Sequence, residues 1–450
     1  MNTSLRVTLE NVKKLVRRNA KGPLYKLLNK LHPADIAQII ANLTDIDKKG
    51  LFTYLDNTSR LAEIILELDE KEIIDFFEDA DPKRAGEVIM AMESDDKSFI
   101  LRLLPESTKE NLSQYVTLNE LTEIEELLHY PEKTAGAMMN TDYVAFSEET
   151  TIKEATKTIH QSADVEMIYY IYVVDSEERL TGVLSLRQLI LNPPERQLKE
   201  VMTTNVISVM DSVHQEDAAK LVAKYDFMAL PVVNDQRQLQ GIITFDDIID
   251  VIREEATEDV YRITGTPQAE LAYDENVIKS ARVRLPWLLI TLVGELFSGI
   301  LISFFQGKLV EFLVLSAFMP VIMAMGGNVG TQSSTITIRN IAIGRIDAKH
   351  NFPVLWKELR VGLLMGIVSA IPVIFLAPLF HTSNGIGIVV GIALFCAMSF
   401  AAFSGTFVPL LLMRLKIDPA VASGPFISTF NDITGLTIYF SVALSLMAFL

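Results

Sequence analysis

Asp432 stands in the stretch Ser428-Thr429-Phe430-Asn431-Asp432-Ile433-Thr434-Gly435, near the start of an apolar run from about Phe426 to Leu450. A carboxylate placed in hydrocarbon costs about 2.5–3.5 kcal/mol on insertion scales. The residues around it are small or polar, which suits close helix contact and a wet cavity rather than lipid. Such a carboxylate is by default a candidate for an ion path. Glu295 and Glu311 lie in or beside two earlier apolar runs. A second polar stretch, Gly326-Gly327-Asn328-Val329-Gly330-Thr331-Gln332-Ser333-Ser334, follows Pro320. Its glycine content predicts a break in the helix, tolerated at membrane depth only where it packs on protein or lines water.

A third set of carboxylates lies outside the apolar runs: Asp246, Asp247, Asp250, Glu254, Glu255, Glu258 and Asp259. Asp247 and Asp250 are three apart, as are Glu255 and Glu258, so each pair shares a helix face where like charges repel. Hard divalent cations take oxygen ligands, and Mg2+ needs few of them because it keeps its waters.

The elements that position these groups follow from patterning. Residues 1–130 read as short amphipathic helices. Ile36, Ile39, Ile40 and Leu43 fall at helical spacing, then Leu61, Ile64, Ile65 and Leu68, then Ile73, Ile74 and Phe77, then Val88, Ile89 and Met92. Helices in series predict a superhelix. His32 before Pro33 reads as a helix cap. Residues 131–254 hold an internal repeat. Ile171-Tyr172-Val173-Val174-Asp175 matches Leu230-Pro231-Val232-Val233-Asn234, and Gly182 to Arg187 matches Gly241 to Asp246. Each unit reads helix, strand, turn, strand, helix, with Arg179 and Arg237 in the turns. Residues 255–285 are a charged connecting helix.

Five apolar segments complete the chain: about Pro286–Phe305, Leu309–Met325, Val361–Phe380, Ile386–Leu412 and Phe426–Leu450. Each approaches the ~20 residues that span a bilayer. Lys279, Arg282 and Arg284 precede the first. Arg339, Arg345, Lys349, Lys357 and Arg360 lie between the second and third, and Arg414 and Lys416 between the fourth and fifth. This asymmetry puts the N-terminus and soluble half in the cytosol and the C-terminus outside. The fold class is therefore multidomain: a helical N-domain, a tandem α/β pair, a connecting helix and an all-α membrane domain of residues 286–450.

The net charge of -17 is uneven. From Pro286 onward stand 8 Lys+Arg and 6 Asp+Glu, which leaves 32 and 51 before it. An acidic soluble half is a poor partner for nucleic acid, which is bound by clustered positive charge. A multivalent cation suits it better. Cys396 is the one cysteine, so no intrachain disulfide forms. No nucleophile–base motif or phosphate loop points to an enzyme.

The repeat resembles a tandem pair of cystathionine-β-synthase (CBS) domains. With Gly-Gly-Asn-x-Gly-x-Gln at Gly326 to Gln332 and Asn431-Asp432-Ile433-Thr434-Gly435, the whole chain resembles the MgtE family of bacterial Mg2+ channels. The resemblance implies a homodimer in the plasma membrane with a pore between subunits. It implies that Asp432 holds a hydrated Mg2+, that Asn328 lines the path and that Glu311 lies near its outer end. It also implies cytosolic Mg2+ sites on Asp95, Glu216, Asp226, Asp247, Asp250, Glu255, Glu258 and Asp259, through which internal Mg2+ closes the channel. ATP bound to the CBS pair would meet Tyr170, Arg187 and Phe227. The chain departs from the family pattern at His214, where a carboxylate is expected, and at Gln188, where an Asp could hold ribose. Gly424 and Thr331 stand where Asn can occur. The rival readings are a channel for Co2+, Mn2+ or Zn2+, and a membrane-anchored CBS sensor without transport.

Overall fold

A computed structural model describes residues 3–161, 168–265, 277–307, 312–346, 351–380, 384–422 and 424–447. The chain divides into two compact units, Met1–Ile252 and Arg253–Leu450.

The first unit opens with ten short helices, from Thr3–Arg17 to Leu118–Leu128, among the described residues. Their starts are written locally. Pro33 and Pro82 stand in first turns, and Thr44, Asn57 and Asp81 accept backbone N–H groups of the turns that follow them. His32 caps the helix Pro33–Ile40 through Nδ1, 3.3 Å from the Ala34 amide, as its place before proline predicts. The predicted stripes bury together in one core that holds Ile36, Ile39, Ile40, Ile64, Ile65, Val88 and Ile89. Helix ends leave carbonyls without helical partners, and a repeated device satisfies them here. Arg60 donates to the Leu28 and Leu31 carbonyls, Arg84 to Phe52 and Leu55, and Arg102 to Leu127 and Tyr130.

The repeat folds twice into the same three-stranded sheet. Ala145–Ser147 pairs in parallel with Tyr170–Val174, which runs antiparallel to Leu180–Ser185. Val209–Met210, Ala229–Val233 and Leu239–Thr244 repeat that order. Even the irregularity recurs, between Val173 and Val174 and between Val232 and Val233. Arg237 lies in the second turn at φ 64, while in the first turn Glu178 takes φ 61 and Arg179 follows it. The short parallel strand of each unit was not anticipated, because two or three residues carry too little pattern.

The helix Phe245–Ile263 crosses from the second repeat into the next unit. Among the described residues five helices of 24 residues or more follow: Val277–Gln306, Met319–Ala342, Phe352–Leu376, Asn384–Arg414 and Gly424–Met447. Three carry stretches long and apolar enough to cross a membrane: Ser280–Gln306, Phe352–Leu376 and Gly385–Arg414. The other two hold the polar stretches that opened the sequence analysis, which lowers their mean hydropathy.

Two expectations are corrected here. The second apolar segment, expected at Leu309–Met325, belongs to two elements, a short helix Phe312–Ser316 and the start of Met319–Ala342. The glycine-rich stretch does not break the helix, for residues 326–332 are helical throughout. With little water to compete for backbone groups, the internal hydrogen bonds hold the helix despite the ~1 kcal/mol glycine penalty measured in water. Glu311 and residues 266–276 of the connecting segment lie outside the described residues.

Candidate functional site

The polar faces of Met319–Ala342 and Gly424–Met447 bound a cleft of about 540 Å³. The first helix lines it with Ala324, Gly327, Asn328, Thr331, Gln332 and Thr335 among others; the second contributes Ser428 and Asp432. Positions 324, 328, 331 and 335 recur every three or four residues, and 428 and 432 are one turn apart, so each set forms one helix face. Asp432 is 8 % exposed. It turns its carboxylate to the cleft while its neighbour Asn431 turns into the bundle, where its Oδ1 accepts from Ser404 Oγ at 2.8 Å.

Glycines bring these helices together. A methyl at Gly327 would lie 2.9 Å from Ser428 Oγ, and one at Gly330 would overlap the Asn431 side chain. Gly405, on Asn384–Arg414, faces the backbone of Gly330 so closely that a methyl would overlap its carbonyl oxygen. On the opposite side of the glycine helix, Ser333 meets Glu358, a carboxylate 6 % exposed, at 3.5 Å. Sequence reading missed Glu358, because one acidic residue near a charged loop looks like surface. It also missed Ser428 and Gln332 as cleft residues, although Ser428 lies at helical spacing from Asp432. Glu295 lies close enough to Asp432 for the two carboxyls to act on each other.

Apart from the Met323 thioether, the ligating groups of the cleft are oxygens and amides, with no Cys or His among them. Among the described residues no three His, Cys, Asp or Glu side chains converge to hold a metal ion. A cation at Asp432 would therefore keep most of its waters, as Mg2+ does readily.

The first unit holds a second acidic centre. Asp95 and Asp96, at the start of the helix Ser94–Leu103, lie beside Asp247, with Glu93 and Asp246 close by. Ser94 and Asn140 tie the two parts at this point: Ser94 Oγ donates to Asn140 Oδ1 at 3.2 Å and accepts from the Thr141 amide at 2.8 Å. Asp247 accepts from the Thr244 hydroxyl and, at 3.3 Å, from its amide. Asp95 Oδ1 is closed off from water and has no hydrogen-bond partner. Burial, reinforced by the neighbouring carboxylates, holds the Asp95 carboxyl well above its ordinary range. The same causes push Asp96 up to about 7, and burial pushes Asp247 up to about 6 against its Thr244 hydrogen bond. Asp95 Oδ1 is thus an orphaned buried oxygen amid like charges, although among the described residues no three of these carboxylates converge closely enough to hold a metal ion. Asp95, Asp247 and its neighbour Asp250 lie near one another, and Asp96, Glu93 and Asp246 stand with them.

Other sites expected from sequence are occupied differently. Glu216 pairs with Lys220 at 2.9 Å, and His214 caps the helix Gln215–Tyr225. Asp226 ends that helix in the left-handed region at φ 54. Glu255, Glu258 and Asp259 fall on the part of Phe245–Ile263 that belongs to the second unit, where Arg262 pairs with both Glu258 and Asp418. Tyr170 lines a small hollow with Asp142, Tyr143, Tyr169 and Tyr172, which does not include Arg187 or Phe227. Arg187 is exposed, Phe227 stacks on Tyr225 at 5.5 Å, and Gln188 forms a capping box with Ser185.

The raised carboxyls give a pH dependence with a definite sign. A folded-state value above the unfolded one contributes stability present below about pH 4 and lost as pH rises through about 6 to 7. For the full chain in detergent, cleavage of the linker near Pro131 is expected to quicken as pH rises to about 8, and Mg2+ is expected to slow it most there. Equal protection by Mg2+ at about pH 5.5 and 8 would count against a charge-repelled interface.

A profile described as divalent cation transporter matches residues 319–442. One described as the MgtE intracellular N domain matches residues 31–133, and CBS domains match 135–194 and 198–254. The chain is 33% identical over 418 residues to "Magnesium transporter MgtE" of Bacillus subtilis, covering 93% of this chain and 92% of that one. It is 35% identical over 423 residues to the protein of the same name from Enterococcus faecalis, with the same shares covered. The chain belongs to the MgtE family. Among solved structures, the cytosolic domain of the Mg2+ channel MgtE in complex with ATP matches with a TM-score of 0.52 and 32% identity. That match covers 54% of this chain and 99% of the other. MgtE membership accounts for the order of N-domain, CBS pair and polar-faced helices already described.

Proposed function

We propose that this MgtE protein conducts Mg2+ across the plasma membrane and does not catalyse a covalent reaction. One observation carries the reading: Asp432 and Asn328, 104 residues apart in the chain, share one cleft with Gln332 and Ser428. A hydrated divalent cation is the partner such a cleft suits. The breadth of the family description keeps Co2+, Mn2+ and Zn2+ in the class. Softer metals favour Cys and His ligands, so a carboxylate in a lining without either supports Mg2+. Uptake into proteoliposomes, run metal by metal, tests this; uptake of Zn2+ or Co2+ but not Mg2+ would replace the reading.

On this reading all five long helices cross the bilayer, with the soluble unit in the cytosol and the C-terminus outside. Two copies assemble about a two-fold axis, so that two Asp432 carboxylates face one ion. Glu311 would stand near the outer end of the path. Nucleotide binding by the CBS pair is supported by the likeness to an ATP-bound cytosolic domain; Tyr170, Arg187 and Phe227 are the residues to probe.

Internal Mg2+ would gate the channel through Asp95, Glu216, Asp226, Asp247, Asp250, Glu255, Glu258 and Asp259. Ligand shifts such an equilibrium only by its differential affinity for the two states. Several sites of about 1–3 kcal/mol coupling each would give a steep response. Joint Asp247→Ala and Asp250→Ala substitution is expected to leave the channel open at an internal Mg2+ concentration that closes the wild type. Closure at an unchanged concentration would reduce these carboxylates to a solvated face.

A further inference from the structure

Glu295 lies on Val277–Gln306, which packs along the terminal helix Gly424–Met447. The next residue back, Gly294, lets the two backbones close, for a methyl there would overlap Thr429. Thr429 precedes Asp432 by three residues, so the face that meets Gly294 continues to the carboxylate one turn on. That packing sets Glu295, next to Gly294, beside Asp432, whose carboxyl feels the Glu295 charge. Among the described residues, no positive charge lies against this pair from the other elements. The glycine helix presents Gly327, Asn328, Thr331 and Gln332, and the terminal helix presents Ser428. A second carboxylate at this depth is costly, and an aliphatic residue there would avoid that cost.

We propose that Glu295 is a specificity-determining residue of the Asp432 ion site. It does not line the cleft, so it acts on a bound divalent ion through the field that its carboxylate adds to that of Asp432 once the ion has displaced the proton the two carboxyls would otherwise share. A divalent cation feels that field twice as strongly as a monovalent one, so Glu295 sets the margin of Mg2+ over Na+. This rests on the reading of Asp432 as the conducting site.

The test is uptake by the full-length protein in proteoliposomes, comparing wild type with Glu295→Gln, Glu295→Asp and Asp432→Asn. Glu295→Gln is expected to raise half-saturating Mg2+ roughly tenfold and to change Na+ flux without divalents by less than about twofold. Glu295→Asp, which keeps the charge, is expected to stay within about threefold of wild type. Should the Gln variant not fold, as judged by size exclusion, Glu295→Ser is the neutral variant measured in its place. Wild-type half-saturation and an unchanged Mg2+-to-Na+ ratio in the neutral variant would overturn the proposal. Equal impairment of the Asp and Gln variants would also overturn it, since shape and not charge would then matter. If Asp432→Asn still takes up Mg2+, the reading of Asp432 falls and this proposal with it. If Asp432→Asn is silent while the neutral Glu295 variant is unchanged, only the role of Glu295 falls.

Discussion

Asp432→Asn is expected to reduce Mg2+ uptake by two orders of magnitude or more while leaving the protein folded. Asn keeps the size of Asp and its carbonyl acceptor and removes only the charge. At Asp432 that charge faces a cleft lined by neutral donors and acceptors. Two unit charges about 4 Å apart interact by ~4 kcal/mol at an effective dielectric of 20, and a divalent ion doubles that. Even a fraction of this figure, after screening by the ion's own waters, exceeds the 1.4 kcal/mol that separates tenfold steps in affinity. The fold should survive, because Asn431 and not Asp432 makes the buried contact with Ser404. The measurements are uptake by reconstituted protein and its elution profile in detergent. Uptake at the wild-type rate from the Asn variant would remove Asp432 from the ion path.

Gly405→Ala is expected to cost the folded membrane unit as severely as any single methyl can. The added carbon would overlap the carbonyl oxygen of Gly330, a backbone atom with no rotamer to turn aside. Overpacking of a core costs about 1–3 kcal/mol where side chains can shift, and more where they cannot. To relieve the clash, Asn384–Arg414 must move away from Met319–Ala342, and the glycine helix carries one wall of the cleft. We expect either a large loss of monodisperse protein or a folded variant with Mg2+ uptake down at least ~10-fold. Gly299→Ala is the control: it is also a helix glycine, but nothing lies within 4 Å of its added carbon. Normal yield and uptake from Gly405→Ala would show that these helices have slack.

The sequence alone determined the elements and their periodicity. Burial at one helix face follows from the positions of Ile36, Ile39 and Ile40, and the paired strands follow from the runs at Ile171 and Leu230, because 3.6 and 2 are fixed repeats. It also determined that Asp432 needs a function, since no packing argument places a carboxylate in an apolar run. What only the tertiary structure decided is which faces meet. Spacing within a helix says that Ser428 and Asp432 share a side, but not that Asn328 lies opposite or that Glu295, 137 residues earlier, acts on the carboxylate. The meeting of Asp95 with Asp247 was implied by the family resemblance and by no local pattern, and that of Asp96 by neither, because it depends on the angle at which the helical domain folds onto the repeat. The glycine-rich stretch was misread for the same reason. In water its glycines favour a break, yet packed against Gly405 and Asn431 they are the residues that let three helices close. Propensity belongs to the chain, whereas close approach belongs to the neighbours, and no local pattern names them.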